Sequence, residues 1–221
     1  MLFLAVFCGF LAENLREHQI EKSREKIFMK NMMEDLKSDT AAFKKYANDN
    51  KVLFSSIDSL MYLLKSSERN TKVSRIYFLA RSLTMRGDLL LTNERTYDQM
   101  RSSGSLRLIH NQKVADSVSS YYNLLKQIND QNYRIVTRGD QYILTMHNLF
   151  DAEILLRIYK EKTEPGSSVK LLTEDPVAIN ELLTRAQYLY GTIYYGQNFG
   201  LQSCSRAENL IELIKEEYHL K

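Results

Sequence analysis

The chain has 221 residues, 44% hydrophobic and 26% charged, a composition that fits a folded globular protein and excludes a disordered one. Its 30 basic and 27 acidic side chains give a net charge of +3 and are mixed along the chain, so nucleic-acid binding is not indicated. Only eight glycines and two prolines occur, which favours long helices.

The first apolar run, residues 2–12, carries no charge. A membrane-spanning helix needs about 20 apolar residues, so this run is about half of one. We expect a partial transmembrane anchor over residues 1–12, whose first half lies upstream of Met1, and a helical bundle domain over residues 13–221. A cleaved signal peptide is disfavoured because no basic segment and small-residue cleavage site frame the run. The alternative is a buried helix start in a soluble protein.

Charged residues follow the anchor at helical spacing. Glutamates recur every fourth position from Glu13 to Glu25, beside a row of lysines from Lys22 to Lys30. They form either a solvated helix surface or a contact with lipid headgroups or a partner. Because the basic residues follow the anchor, the positive-inside rule favours a cytoplasmic domain, but a basic segment upstream would reverse this. We expect a single-pass protein of a bacterial inner membrane, with the side of its soluble domain undecided.

Apolar periodicity predicts four helices in the first half of the chain. The first runs from the anchor to about Asn48, and the second covers residues 55–65. The third carries apolar residues from Val73 to Leu83 and ends at Gly87, and the fourth begins near Thr92.

Residues 96–111 predict a tight corner between two helices. Gly104 can adopt the left-handed conformation that closes a helix, and Asn111 can cap the next one. Residues 105–109 could also form a very short extended segment. Three residues around the corner are a candidate anion or partner contact: Arg101, Ser103 and Arg107. The alternative is a capped turn with solvated charges.

Beyond the corner, the spacing predicts one helix of about 45 residues. A loop follows at residues 164–168, and Asp175 and Pro176 provide the N-cap and first residue of a last long helix. Gly191, Gly196 and Gly200 mark a kink or a close approach within it. The predicted fold is all-α, an elongated bundle of long antiparallel helices with shorter helices packed between them, and its N-terminal helix is continuous with the partial anchor.

The sequence indicates no catalytic residue, no cofactor and no metal site. Cys8 and Cys204 form neither a zinc motif nor a disulfide framework. The histidines are separated from one another in the sequence: His18, His110, His147 and His219. Glu216 and His219 match half of a di-iron motif, but its second half is missing.

Two stretches resemble a bacterial family of membrane-anchored proteins, the domain of unknown function numbered 6090. Residues 7–36, which include FCGFLAENLREHQIE, REK and MEDLKSD, resemble the family's junction between membrane segment and soluble domain. Residues 94–122, ERTYDQMRSSGSLRLIHNQKVADSVSSYY, are similar to its central corner. The resemblance implies a membrane-anchored helical protein and assigns no activity or catalytic residue.

We therefore expect a non-enzymatic protein-interaction or scaffold module of the bacterial envelope. It contacts the membrane through its N-terminal apolar segment and binds either itself or another envelope protein. The alternative is a helical ligand-sensing domain that binds a small anion or metabolite. An enzyme would need a cluster of titratable groups that the sequence does not reveal.

Overall fold

The computed structural model describes residues 2–85 and 89–220, and all regular structure in these ranges is helical, which confirms the all-α class. The described ranges contain six α-helices: α1 (Leu2–Lys65), α2 (Val73–Met85), α3 (Arg95–Ser102), α4 (Gln112–Met146), α5 (Ala152–Glu161) and α6 (Pro176–Tyr218). Two short 3₁₀ turns lie at Arg69–Thr71 and Ser105–Leu108. The predicted helix end at Gly87 lies outside the described residues.

The chain divides into two compact units, each assembled from separate segments. Unit 1 comprises Met1–Ala42, Leu91–Lys126 and Gln202–Lys221, and unit 2 comprises Phe43–Leu90 and Gln127–Leu201. Three helices, α1, α4 and α6, contribute residues to both units. The predicted long helices are thus present, while the elongated antiparallel arrangement expected for them stays a prediction.

Each unit has its own apolar interior. In unit 1 the buried residues at helical spacing are Met29, Met32 and Leu36 of α1, Val118, Tyr121 and Leu125 of α4, and Ala207, Leu210 and Ile214 of α6. In unit 2 they include Ile57, Leu60 and Leu64 of α1, Ile76 and Ala80 of α2, Tyr142 of α4, and Leu182 and Ala186 of α6. Spacings of three and four residues place these side chains on one face of each helix.

Two predicted helix boundaries were wrong. No break separates a first and second helix at residues 48–55, because α1 continues to Lys65 and buries Asn50 and Leu53 there. Packing thereby overrides the weak helix propensity of the local asparagines. The 45-residue helix is also shorter than predicted, since α4 ends at Met146 and Asp151 caps a separate α5 by accepting hydrogen bonds from the backbone of Glu153 and Ile154.

The predicted corner and the start of the last helix are confirmed. Gly104 has a φ of 69°, and Asn111 accepts a hydrogen bond from the Val114 N–H at 3.2 Å. Residues Ser105–Leu108 form a 3₁₀ turn rather than an extended segment. Asp175 caps α6, which runs uninterrupted past its three glycines to Tyr218.

The beginning of α1 carries no charged or strongly polar residue up to Ala12, and the side chains described there are exposed. Phe3, Val6 and Phe10 are 82%, 67% and 69% exposed. Among the described residues, no helix is both long and apolar enough to cross a membrane.

Candidate functional site

The most polar part of the interior of unit 1 is a row of three buried carboxylates on α1: Glu25, Asp35 and Asp39. Each accepts a hydrogen bond from the backbone of the segment between residues 93 and 110. Asp39 binds the Asn93 N–H at 2.7 Å, Asp35 the Thr96 N–H at 2.9 Å, and Glu25 the His110 N–H at 2.8 Å. The three carboxylates therefore fix the path of this segment along α1.

Asp35 performs the role of an N-cap for α3. Glu94, the residue before α3, makes no capping hydrogen bond with its side chain. The carboxylate of Asp35 instead accepts a hydrogen bond from the Thr96 N–H in the first turn of α3. Asp35 also accepts from the Asn93 side chain at 3.0 Å and from Arg95 at 2.8 Å. A negative charge at a helix N-terminus is stabilising. The three donors from Asn93, Arg95 and Thr96 also offset the cost of burying the Asp35 carboxylate.

Asp39 forms a buried pair with a tyrosine of α4. The Tyr121 hydroxyl donates a hydrogen bond of 2.7 Å to the Asp39 carboxylate. Burial raises the pKa of Asp39 to about 6, although the hydrogen bonds from Tyr121 and Asn93 act in the opposite direction. Burial and the neighbouring Asp39 charge raise the pKa of Tyr121 in turn. A carboxyl group with such a pKa could act as a base, but Asp39 is only 1% exposed, which favours a structural role.

Tyr122, next to Tyr121, has a buried hydroxyl with no hydrogen-bond partner among the described residues. Its ring stacks on that of Tyr97 in α3, with ring centroids 4.0 Å apart and an angle of 8° between the planes. The ring of Tyr122 therefore joins α4 to α3, while its hydroxyl group has no hydrogen-bond partner among the described residues.

A cluster of metal-ligating residue types lies at the surface of unit 1. One ring nitrogen of His18, one of His110 and a carboxylate oxygen of Glu21 all lie within 4.8 Å of one another. The His110 Nδ1 also lies 3.0 Å from Glu25, and this hydrogen bond raises the pKa of His110. Glu25 further accepts a hydrogen bond of 2.6 Å from the Tyr218 hydroxyl, so both of its oxygens are bound.

The residues of the predicted anion contact surround the Gly104 turn, but two of their side chains already bind nearby residues of α3. Arg101 forms an ion pair with Asp98 at 3.0 Å, and the Ser103 hydroxyl donates to the Gln99 carbonyl at 2.7 Å. Arg107 is exposed on the 3₁₀ turn. The described contacts match those of a capped turn, and anion binding at Arg101, Ser103 and Arg107 stays a prediction.

Comparison with protein-family models, curated proteins and solved structures finds no match to this chain.

Unit 2 contains a groove between α4 and α6 with a volume of about 460 Å³. Its lining combines glutamines, tyrosines and one charged residue of each sign, Asp130 and Arg134. The volume suits a small ligand, but the balanced charges do not select an anion.

Two features of unit 1 escaped the sequence reasoning. His18 and His110 belong to different elements, so no local motif joins them, and only the fold brings their rings together. The buried carboxylates did leave a signal, because Glu25, Asp35 and Asp39 lie at helical spacing with apolar residues such as Met32 and Leu36. That pattern indicates the buried face of α1, whereas the fourfold spacing from Glu13 to Glu25 predicts a solvated or lipid-facing surface that is wrong for Glu25.

Proposed function

We propose that the chain is a non-enzymatic, membrane-tethered helical module of the bacterial envelope that binds a second copy of itself or another envelope protein. The observation that carries the proposal is the exposed apolar start of α1. A soluble surface helix has a polar face, whereas residues 2–12 are apolar around the whole circumference of the helix. Lipid is the surrounding that such a segment favours.

The continuity of α1 supports the tether. The same helix that begins with Phe3 and Phe10 buries Met29, Met32 and Leu36 in unit 1. A rigid helix rises about 1.5 Å per residue, so a membrane-embedded start would hold the packed part of α1 at a fixed distance from the bilayer. The exposed charged residues that follow the apolar start, such as Glu13, Arg16 and Lys22, provide a stretch suited to the headgroup region.

Vesicle flotation tests the membrane contact. The full chain, mixed with phosphatidylglycerol and phosphatidylethanolamine vesicles, is expected to float with them in a density gradient. The double variant Phe7→Asp and Phe10→Asp should remain at the bottom, because each charge is costly in the hydrocarbon region. The control Tyr133→Asp and Leu144→Asp replaces two large apolar residues of unit 2 that are also more than half exposed, and it should float.

A parental chain that stays at the bottom would contradict the tether, as would a control that loses flotation to the same extent as the α1 variant. The interaction half of the proposal is tested by light scattering on detergent-extracted chain. A mass of twice 25.8 kDa would identify a second copy as the partner, and a monomer would direct the search to cross-linked envelope proteins.

The side of the membrane is a separate question. A single cysteine introduced at Gly166, with Cys8 and Cys204 replaced by serine, can be labelled in intact cells by a reagent that does not cross the inner membrane. Protection from the reagent is expected for a cytoplasmic domain, which the basic residues after the apolar segment favour. Labelling would place the domain in the periplasm.

A further inference from the structure

We propose that His18, Glu21 and His110 bind a divalent transition-metal ion, and that Zn²⁺ is the ion that fits them best. The proposal does not depend on the membrane contact, because all three residues belong to unit 1 and lie outside the apolar start of α1.

The donor set determines the class of ion. Two imidazole nitrogens and one carboxylate oxygen are the ligands of many zinc sites, whereas Mg²⁺ and Ca²⁺ favour oxygen ligands alone. The three donor atoms already lie within 4.8 Å of one another. Rotation of exposed side chains can shorten this separation to the roughly 3.4 Å that metal–ligand bonds of about 2.1 Å require in a tetrahedron.

The backbone brings these residues together from two elements. His18 and Glu21 are three residues apart on α1 and so share one face of the helix. His110 follows the Ser105–Leu108 turn and directly precedes the cap of α4. The rings of His18 and His110 meet edge to face, with centroids 5.9 Å apart.

A second observation points to a ligand at His110. Its Nδ1 lies 3.0 Å from the buried carboxylate of Glu25, which as an acceptor fixes the ring proton on Nδ1. In the neutral ring the Nε2 atom then carries the lone pair that a metal requires. A carboxylate behind a ligating histidine is the usual outer-sphere arrangement of zinc sites, and Glu25 is itself held by the Tyr218 hydroxyl at 2.6 Å.

Three protein ligands leave one position of a tetrahedral ion open. The cluster lies at the surface, with His18 and His110 exposed, so water would fill this position. The ion would link α1 to the segment before α4, in line with the hydrogen bonds that Glu25 already makes there.

Zinc titration tests the site. The full chain without a histidine tag is titrated at pH 7.5 against a chromophoric chelator that reports free Zn²⁺. One Zn²⁺ per chain is expected to bind, and a tenfold excess of Mg²⁺ should not displace it. His18→Ala should weaken binding by at least about tenfold, and Glu25→Gln by about 10- to 100-fold through the loss of the outer-sphere carboxylate.

His147→Ala is the matched control, because His147 is an exposed histidine of unit 2. It should bind Zn²⁺ like the parent. His18 is exposed, so His18→Ala is expected to keep its circular dichroism spectrum and melting temperature even where Glu25→Gln, at a buried position, does not. The proposal would be overturned if the parent bound no Zn²⁺ at about 10 μM, a concentration that corresponds to a binding free energy of about 7 kcal/mol. Equal binding by the parent and His18→Ala would overturn it too.

Discussion

Tyr121 and Tyr122 are neighbours on α4 whose hydroxyl groups have opposite surroundings. The Tyr121 hydroxyl binds Asp39, while the Tyr122 hydroxyl is buried without a partner among the described residues. Tyr121→Phe should lower the free energy of unfolding by about 1.5–3 kcal/mol, since it removes a hydrogen bond to a charged group. Tyr122→Phe should raise it by about 1 kcal/mol, because the ring stacking on Tyr97 remains and the unsatisfied group is gone.

Urea unfolding of both variants at pH 7.5 measures the pair, and each serves as the control for the other. A loss of stability in Tyr122→Phe equal to that in Tyr121→Phe would mean that the second hydroxyl has a partner, such as a buried water.

Asp39 makes a pH-dependent contribution of unusual sign for a carboxyl group. Its pKa is raised to about 6 from 3.8, so the folded state binds the proton more tightly than the unfolded state. Its contribution to the free energy of unfolding is therefore fully present below about pH 4 and is lost as the pH rises through about 6. This pKa difference corresponds to about 3 kcal/mol. The free energy of unfolding is measured for the parent and for Asp39→Asn at pH 4 and pH 7.5. Relative to the variant, the parent should be less stable at pH 7.5 than at pH 4. A difference independent of pH would show that Asp39 titrates at its ordinary value.

At the scale of helices and turns, Gly104 is the residue on which the corner depends. A β-branched side chain is disfavoured at its φ of 69°, so Gly104→Val should lower the free energy of unfolding by about 1–2 kcal/mol or more. Gly166 is the control, since it has open space around it and no positive φ. Its replacement by valine should change stability by less than about 0.5 kcal/mol. Thermal unfolding followed by circular dichroism compares the two, and equal melting temperatures would contradict the strained corner.

Two glycines of α6 should respond differently to the same substitution. A Cβ at Gly191 would meet no atom within 4 Å, whereas one at Gly200 would lie 3.0 Å from a methyl group of Leu90. Gly191→Ala should therefore raise the free energy of unfolding by about 0.5–1 kcal/mol through helix propensity alone. At Gly200 the contact with Leu90 should cancel this gain. Equal stabilisation in both variants, measured by thermal unfolding, would show that Leu90 moves aside without cost.

Helix ends were predictable from the sequence where the cap is local. Asn111 and Asp175 precede the helices that they cap, and both were identified from their position. Asp151 is also local, but the apolar periodicity around it predicts one continuous helix and so hides the cap. The cap of α3 could not be found this way, because Asp35 belongs to another helix and reaches Thr96 only in the folded chain.

For the whole molecule, the sequence predicted the class of fold and the long helices. Apolar spacing predicted a helix that carries apolar residues from Val73 to Leu83, and both of these residues are buried. It could not predict the division into two units, because periodicity records which face of a helix is buried and not against which partner. The same reason hid the cluster of His18 and His110, whose proximity depends on packing between elements.

The three-segment makeup of unit 1 has a consequence for synthesis on the ribosome. Its interior includes Ala207, Leu210 and Ile214, which lie in the last segment, Gln202–Lys221. At about 5–20 residues per second, the ribosome adds this segment roughly 10–30 s after it has added the buried residues of α1. Unit 1 therefore cannot complete its core until Gln202–Lys221 has been made, although domains commonly begin to fold from the N-terminus during synthesis. Until then, Met29, Met32 and Leu36 lack the part of the interior that α6 supplies, and exposed apolar surface of this kind is what chaperones bind.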